Sequence, residues 1–245
     1  MATRFYCPDP PQEDRYELHG EEAHHLTRVC RHRLGDQVEL FDGAGFATLA
    51  EIVEIHRERV LLRPVGDPLP ERRPPCELSL ITAVPKGERF DWLVEKATEL
   101  GVARLIPLLA ERSVVEPGGS KLERLRRRII EASKQCGRSR LMILAPSQSL
   151  ESALQSEFAE VRLIAQPGGA GPHRWPQIVP GNTVVLAVGP EGGFTSAELD
   201  LAVRSGCVAA CFNLNTLRVE TAALAGAAVI FARLMESPNV GTAMD

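Results

Sequence analysis

Residues 184–199, VVLAVGPEGGFTSAEL, and residues 208–230, VAACFNLNTLRVETAALAGAAVI, decide how this chain folds. Each begins apolar, passes through a loop rich in glycine or asparagine, and opens into a helix. An unbroken apolar run is the signature of a strand buried on both faces, and strand, loop and helix in succession build a parallel sheet. The loops of such a sheet gather at the carboxyl ends of its strands, where a ligand crevice forms. Thr195-Ser196-Ala197-Glu198 reads as a capping box that starts the first of the two helices.

The same alternation extends upstream. ELSLITAV (77–84) predicts a strand, and Phe90, Leu93, Val94, Ala97 and Leu100 mark a helix face that ends at Gly101. VARLIPLL (102–109) predicts the next strand. Ser120-Lys121-Leu122-Glu123 reads as another capping box, opening a helix that buries Leu122, Leu125, Ile129, Ala132 and Cys136. Strands at 141–145 and 161–165 flank a short helix near 149–158. The expected class is α/β, a parallel sheet with helices on both faces. PVGDPLPERRPP (64–75) carries five prolines in twelve positions and predicts a stiff linker. Before it, β-like runs at Gln37–Phe41, Phe46–Ile55 and Arg59–Arg63, with a short helix from about Gly20 to Cys30, predict a small barrel-like module. Two domains follow, 1–70 and 76–240.

With 24% charged and 44% hydrophobic residues, the composition is that of an ordinary globular protein. No apolar run approaches the roughly 20 residues that cross a bilayer, and MATRFYCPDP lacks the apolar stretch of a secretory signal. A cytoplasmic protein without a membrane partner is expected. The six cysteines, at 7, 30, 76, 136, 207 and 211, are scattered and read as reduced core residues. No spacing of cysteine or histidine predicts a metal site. A net charge of −4 argues against a protein that coats nucleic acid, DNA included, but leaves room for local basic faces. Lys121, Arg124, Arg126, Arg127, Arg128, Lys134, Arg138 and Arg140 stand against only Glu123 and Glu131 in one stretch. His24, His25, Arg28, Arg31, His32 and Arg33 form a second cluster. Either is also what a solvated helix face looks like.

GPEGG (189–193) lacks the lysine of a phosphate loop and the GxGxxG spacing of a dinucleotide fold. Together with AQPGGAG (165–171) it predicts loops at about 163–169, 189–194 and 212–218 that hold a ligand mainly by backbone groups and could wrap an adenosine. The alternative is glycine that serves only the turns. Leu217, Arg218, Glu220 and Thr221 form the densest cluster of reactive character. Arg218 can donate to a phosphate or carboxylate. Glu220 either acts chemically or simply suits a helix N-terminus.

PKGERFDWLVEKATELGVARLIPLLAERSVV (85–115), KQCGR (134–138), GPEGGF (189–194) and NTLRVETAA (215–223) resemble the motifs of bacterial 16S ribosomal RNA uridine-N3 methyltransferases, of the SPOUT superfamily. HHLTRVCRHRLGDQVELFDGAG (24–45) looks like that family's PUA-like RNA-binding module. The resemblance implies a SPOUT-type α/β knot with a parallel sheet, its C-terminal elements threaded as a trefoil, behind an N-terminal PUA-like β-barrel. It implies S-adenosylmethionine as cofactor, held by Ile164, Gln166, Gly189, Pro190, Gly192, Gly193, Phe212, Leu214, Leu217 and Thr221. It implies Arg218 and Glu220 as catalytic residues, and RNA contacts from His25, Arg28, Arg31, Arg33, Lys86, Arg112 and Arg138. The implied partners are 16S ribosomal RNA within the small subunit and a second copy of the chain. Where the family has Gly-x-Arg before its last motif, this chain has Asn213 and Asn215. A SPOUT enzyme acting at another position or on a ribose 2′-hydroxyl, and a non-catalytic ribosome-assembly protein, are the competing readings.

Overall fold

The computed structural model describes residues 3–112 and 119–235. They divide into two compact units, one of residues 1–72 with 130–141 and one of residues 73–129 with 142–245.

The first unit is built on a five-stranded sheet. Its strands are β1 (Arg4–Tyr6), β2 (Tyr16–His19), β3 (Gln37–Phe41), β4 (Ala47–Ile55) and β5 (Arg59–Val65), in the order β1-β3-β4-β5-β2. β1 runs parallel to β3, and the other pairs are antiparallel. The two outer strands were not legible in the sequence, since three or four residues beside PDPPQ carry no periodic signal. Helix α1 (Gly20–His24) continues as a π turn over His25–Val29, closed by Cys30 N–H on the His25 carbonyl at 2.9 Å. Phe5, Leu18, Leu26, Leu40, Ile52 and Leu62 fill the core. Residues 130–141 pack into this unit, although the sequence reading assigned them downstream. Arg4 explains why. It is buried, donates to Ser133 O (2.9 Å), Arg138 O (3.3 Å) and Ser139 Oγ (3.0 Å), and pairs with Glu39 at 2.8 Å. Lys134 does the same from the other side, reaching Glu22 at 2.9 Å and the Phe5 ring.

The second unit holds a seven-stranded sheet in which every pairing is parallel: β6 (Glu77–Ala83), β7 (Arg104–Leu109), β8 (Ile143–Leu144), β9 (Gln148–Ser149), β10 (Val161–Ala170), β11 (Thr183–Val188) and β12 (Val208–Ala210). Its order is β12-β10-β11-β6-β7-β8, with β9 also on β7. Between the strands run α2 (Arg89–Leu100), α3 (Gly119–Cys136, of which 119–129 belong to this unit and 130–136 to the first), α4 (Leu150–Ser156), α5 (Ser196–Arg204) and α6 (Val219–Met235). Gly101 ends α2 with φ 97°, and Val102 N–H reaches back to Ala97 O, as a left-handed glycine cap requires. The capping box at Thr195 and Glu198 is present. The side chain of Ser120, read as the cap of α3, lies outside the described residues.

Alternate residues of β11 face opposite layers. Val185 and Ala187 join Ala153 and Leu154 of α4 and Ala202 of α5, while Leu186 meets α6. The approach to α6 depends on Gly226, because a Cβ there would lie 2.6 Å from Leu186 Cδ2 and 3.1 Å from Phe212 Cζ. Gly226→Val is therefore expected to overpack this layer at a cost of about 1–3 kcal/mol. A melting-temperature drop of several degrees in a thermal scan checks it, and an unchanged scan contradicts the packing.

Burial pushes the thiols of Cys7 and Cys207 up to about 11 and that of Cys76 up to about 12, so these three are inert core residues. Cys207 and Cys211 flank β12. No group of histidine, cysteine and carboxylate suited to a metal occurs among the described residues, and no described helix is long and apolar enough to cross a membrane.

Candidate active site

Because all seven strands of the second unit point the same way, the loops after β6, β7, β10, β11 and β12 share one edge. A cavity of about 800 Å³ opens there between the last three. One wall comes from β10. It pairs with β12 up to Ala165, leaves the ladder over 166–169, and returns at Ala170 opposite Ala210. The excursion brings Gln166, Gly168 and Gly169 to the cavity. The second wall is Gly189–Phe194 after β11, held by Gly193 N–H on Pro190 O at 2.8 Å, with Gly193 at φ 68°. The third is Cys211–Leu217 after β12, anchored by Cys211 N–H on Ala170 O at 2.9 Å.

Glycine is needed here for space. A Cβ on Gly169 would stand 2.8 Å from the Ala209 backbone, and one on Gly189 would stand 2.9 Å from the Phe194 ring. Trp175 braces the wall from behind, donating its Nε1–H to Ala170 O (2.8 Å) and meeting Phe212 edge-on at 5.8 Å. Nothing in the sequence had singled out Trp175 or His173, which also lines the cavity. Glu191 is the acidic residue of the lining, and it is exposed.

Of the residues named for a cofactor, Gln166, Gly189, Pro190, Gly193, Phe212, Leu214 and Leu217 line this cavity. Ile164 does not. It is buried in the core on β10. Gly192 faces outward, its carbonyl accepting from Arg112 Nη1 at 2.7 Å, and Thr221 is exposed on α6. Leu214 is fully exposed at the rim, and Asn213 turns its Oδ1 onto Leu214 N–H at 2.8 Å.

Arg218 is exposed immediately before α6 and accepts Ala222 N–H on its carbonyl. Glu220, in the first turn of α6, is buried, does not line the cavity, and lies 3.6 Å from Arg89. Lys86 is exposed after β6, and Arg112 holds the Gly192 loop. In the first unit Arg28, Arg31 and Arg33 are exposed, Arg31 at φ 57° where the π turn ends. His25 faces inward, its Nδ1 3.3 Å from Lys134 Nζ and its ring edge-on to Phe5. Arg138 is buried, and that burial is the main cause lowering its pKa, so it is a poor outward contact in this form of the chain. The arginines of α3 are largely spent on neighbours. Arg124 pairs with Asp91 (2.7 Å), Arg126 with Glu123 (3.1 Å) and Arg128 with Glu95 (2.6 Å).

Residues 72–231 match the family described as RNA methyltransferase domain, and residues 18–65 match the RNA methyltransferase PUA domain. The ribosomal RNA small subunit methyltransferase E of Synechocystis is 32% identical over 97% of this chain and 79% of its own. The same enzyme from Neisseria gonorrhoeae, solved bound to S-adenosyl methionine, superposes with a TM-score of 0.87 at 28% identity, covering 96% of this chain and 98% of that one. A Legionella pneumophila methyltransferase in complex with the same cofactor gives a TM-score of 0.85 at 30% identity, over 95% and 98% of the two chains. The chain belongs to the ribosomal RNA small subunit methyltransferase E family.

Proposed function

We propose that this protein transfers a methyl group from S-adenosylmethionine to N3 of one uridine in 16S ribosomal RNA, in the cytoplasm and on RNA within the small subunit. The observation that carries the reading is the three-loop cavity, in a fold shared nearly end to end with relatives solved holding that cofactor. The residues present fit the group. About 800 Å³ is within the usual range of about 300–1,000 Å³ for small-molecule sites. The lining is mostly apolar, and Gly169 and Gly189 lie too close to the Ala209 backbone and the Phe194 ring for a Cβ, so a side chain there would displace the cavity walls.

When bound, S-adenosylmethionine supplies an electrophilic methyl on a sulfonium sulfur. The protein's part is alignment and charge. Backbone groups of 166–169, 189–193 and 211–217 fix the adenosine, with Phe212, Leu214 and Leu217 excluding water. Uracil N3 must lose a proton of acidity near that of a phenol, about pKa 10, and the resulting anion spreads over O2 and O4. Arg218, at the positive end of α6, stabilises that charge. Glu220, two residues further on, is buried away from the cavity against Arg89 and orders the start of α6, so it does not reach the uracil proton itself.

Two further readings come with this one. The C-terminal segment threads as a trefoil, supported by the return of α6 onto β6, β11 and α2 after β12 has crossed beyond β10. The chain works as a homodimer, supported by the uncovered small or apolar residues Ala228, Ala232 and Met235 of α6.

Incubation of unmethylated small subunits with enzyme and cofactor, followed by nucleoside mass spectrometry, is expected to yield one 3-methyluridine in 16S RNA. A 2′-O-methyl nucleoside, or no product, defeats the proposal. Arg218→Ala is expected to lower kcat by about 10- to 100-fold, less than an enclosed oxyanion donor because the guanidinium is exposed. Its affinity for S-adenosylhomocysteine is expected to hold.

A further inference from the structure

Arg89 begins α2, directly after the loop that follows β6, and its guanidinium is held at two points. Nε donates to Lys86 O at 3.3 Å, and Nη1 lies 3.6 Å from Glu220 Oε1. Nη2 has no partner among the described residues, and the side chain is 38% exposed. Its carboxylate partner is the opposite. Glu220 keeps only 8% of its side chain exposed, and Oε2 has no hydrogen-bond partner among the described residues. A buried carboxylate left half satisfied costs stability, so its presence calls for an explanation beyond packing. What it contacts is Arg89.

Sheet order places this arginine. β6 is the neighbour of β11, about 4.8 Å away in the hydrogen-bonding direction, and β7 is the next strand out. The cavity occupies the β12-β10-β11 half of the edge. The cations Lys86, Arg89 and Arg112 occupy the β6-β7 half, with exposed Glu88 and Glu111 as the acidic groups of the same loops. A nucleotide that approaches the cavity from the β6 side brings its backbone against these cations. Lys86 is exposed there without an anchor, whereas Arg89 is already oriented, so it loses less freedom on binding and presents its remaining N–H groups as a fork.

We propose that Arg89 is a phosphate-binding residue for the RNA strand beside the target nucleotide, and that Glu220 is a positioning residue that aims it. This rests on the rRNA methyltransferase reading above. The chemistry asked of the partner is one phosphodiester oxygen pair, met by the free face of the guanidinium.

Binding of a 16S RNA transcript should be followed across a salt series for wild type, Arg89→Gln, Arg89→Lys, Glu220→Gln and the Arg89→Gln/Glu220→Gln pair, with S-adenosylhomocysteine titration and thermal melting beside it. Arg89→Gln is expected to weaken RNA binding about tenfold and to reduce the slope of log affinity against log salt by about 0.7–0.9, the loss of one phosphate contact. Arg89→Lys is expected to keep the slope but lose affinity, since an ammonium cannot use both anchors. Glu220→Gln should give a smaller loss, and the double variant should be no worse than Arg89→Gln alone. Cofactor affinity should stay within about twofold, because neither residue lines the cavity. Lowered melting temperatures with unchanged RNA affinity and slope would show the pair to be structural and overturn the proposal. A wild-type protein that binds the cofactor but no RNA would instead remove the reading on which it rests.

Discussion

Gly189→Val is expected to lower affinity for S-adenosylhomocysteine at least about a hundredfold, roughly 2.7 kcal/mol. Gly189 lines the cavity, and its missing Cβ is occupied in effect by Phe194, whose ring atoms would lie 2.9–3.2 Å from the added carbon. Phe194 cannot yield cheaply. It is buried in the cluster formed by Ile106, Leu108 and Val185, and Thr195 immediately after it caps α5. The strain must go into the loop, and Pro190 with the 2.8 Å turn bond from Gly193 N–H moves with it. Gly192→Val is the internal control. Among the described residues its Cβ would meet only the flexible Arg112 side chain at 3.3 Å, and the residue faces outward, so affinity is expected to change less than about threefold. Calorimetric titration of the two folded variants separates them. Equal losses would mean that the loop responds as a whole and that Gly189 holds no special place in it.

That contrast shows where sequence reading reached its limit. GPEGG announced itself as a loop of conformational freedom, but five letters do not say which glycine faces the ligand. The answer depends on a phenylalanine five residues after Gly189 and on an arginine 80 positions before Gly192. Longer elements were legible because their cause is local. β11 is one apolar run, α2 has a 3.6-residue stripe and a glycine stop, and the Thr195 capping box carries its own geometry. The excursion of β10 was half visible. AQPGGAG marked a loop, but its return to the ladder at Ala170 depends on pairing with Ala210, which nothing local encodes. Ile164 was placed at the cofactor by its position at a strand end, and the alternation of the strand turned it into the core instead. The basic stretch of α3 was the least informative signal. Its arginines find Asp91, Glu95 and Glu123, two of which come from another helix.

Arg4→Met is expected to destabilise the first unit by about 3–5 kcal/mol, the penalty for breaking a buried ion pair from one side. Arg4 is the fourth residue of the chain, in a three-residue strand, and neither fact suggests weight. Its surroundings do. The guanidinium satisfies Glu39 at 2.8 Å, the carbonyls of Ser133 and Arg138, and Ser139 Oγ, and it stacks 4.6 Å from the centre of Phe41. Methionine keeps most of the apolar contact and none of the donors. Glu39 is left without its guanidinium partner while its side chain is only 21% exposed, and the Ser133 and Arg138 carbonyls each lose one donor, Ser133 O keeping the N–H groups of Gly137 and Arg138. Residues 130–141 then lose their polar tie to β1 and β3, while Lys134 with Glu22, Arg140 with Glu71, and Leu141 N–H on Gly43 O remain. Hydrogen exchange should therefore accelerate first across 130–141 and β3. A double variant, Arg4→Met with Glu39→Leu, should recover part of the loss, because the stranded carboxylate is what costs most. Affinity for S-adenosylhomocysteine should survive in both, since the cavity belongs wholly to the second unit. A loss below about 1 kcal/mol in urea unfolding would place Arg4 among ordinary surface pairs and leave the packing of 130–141 to its apolar contacts and to the ties from Lys134, Arg140 and Leu141.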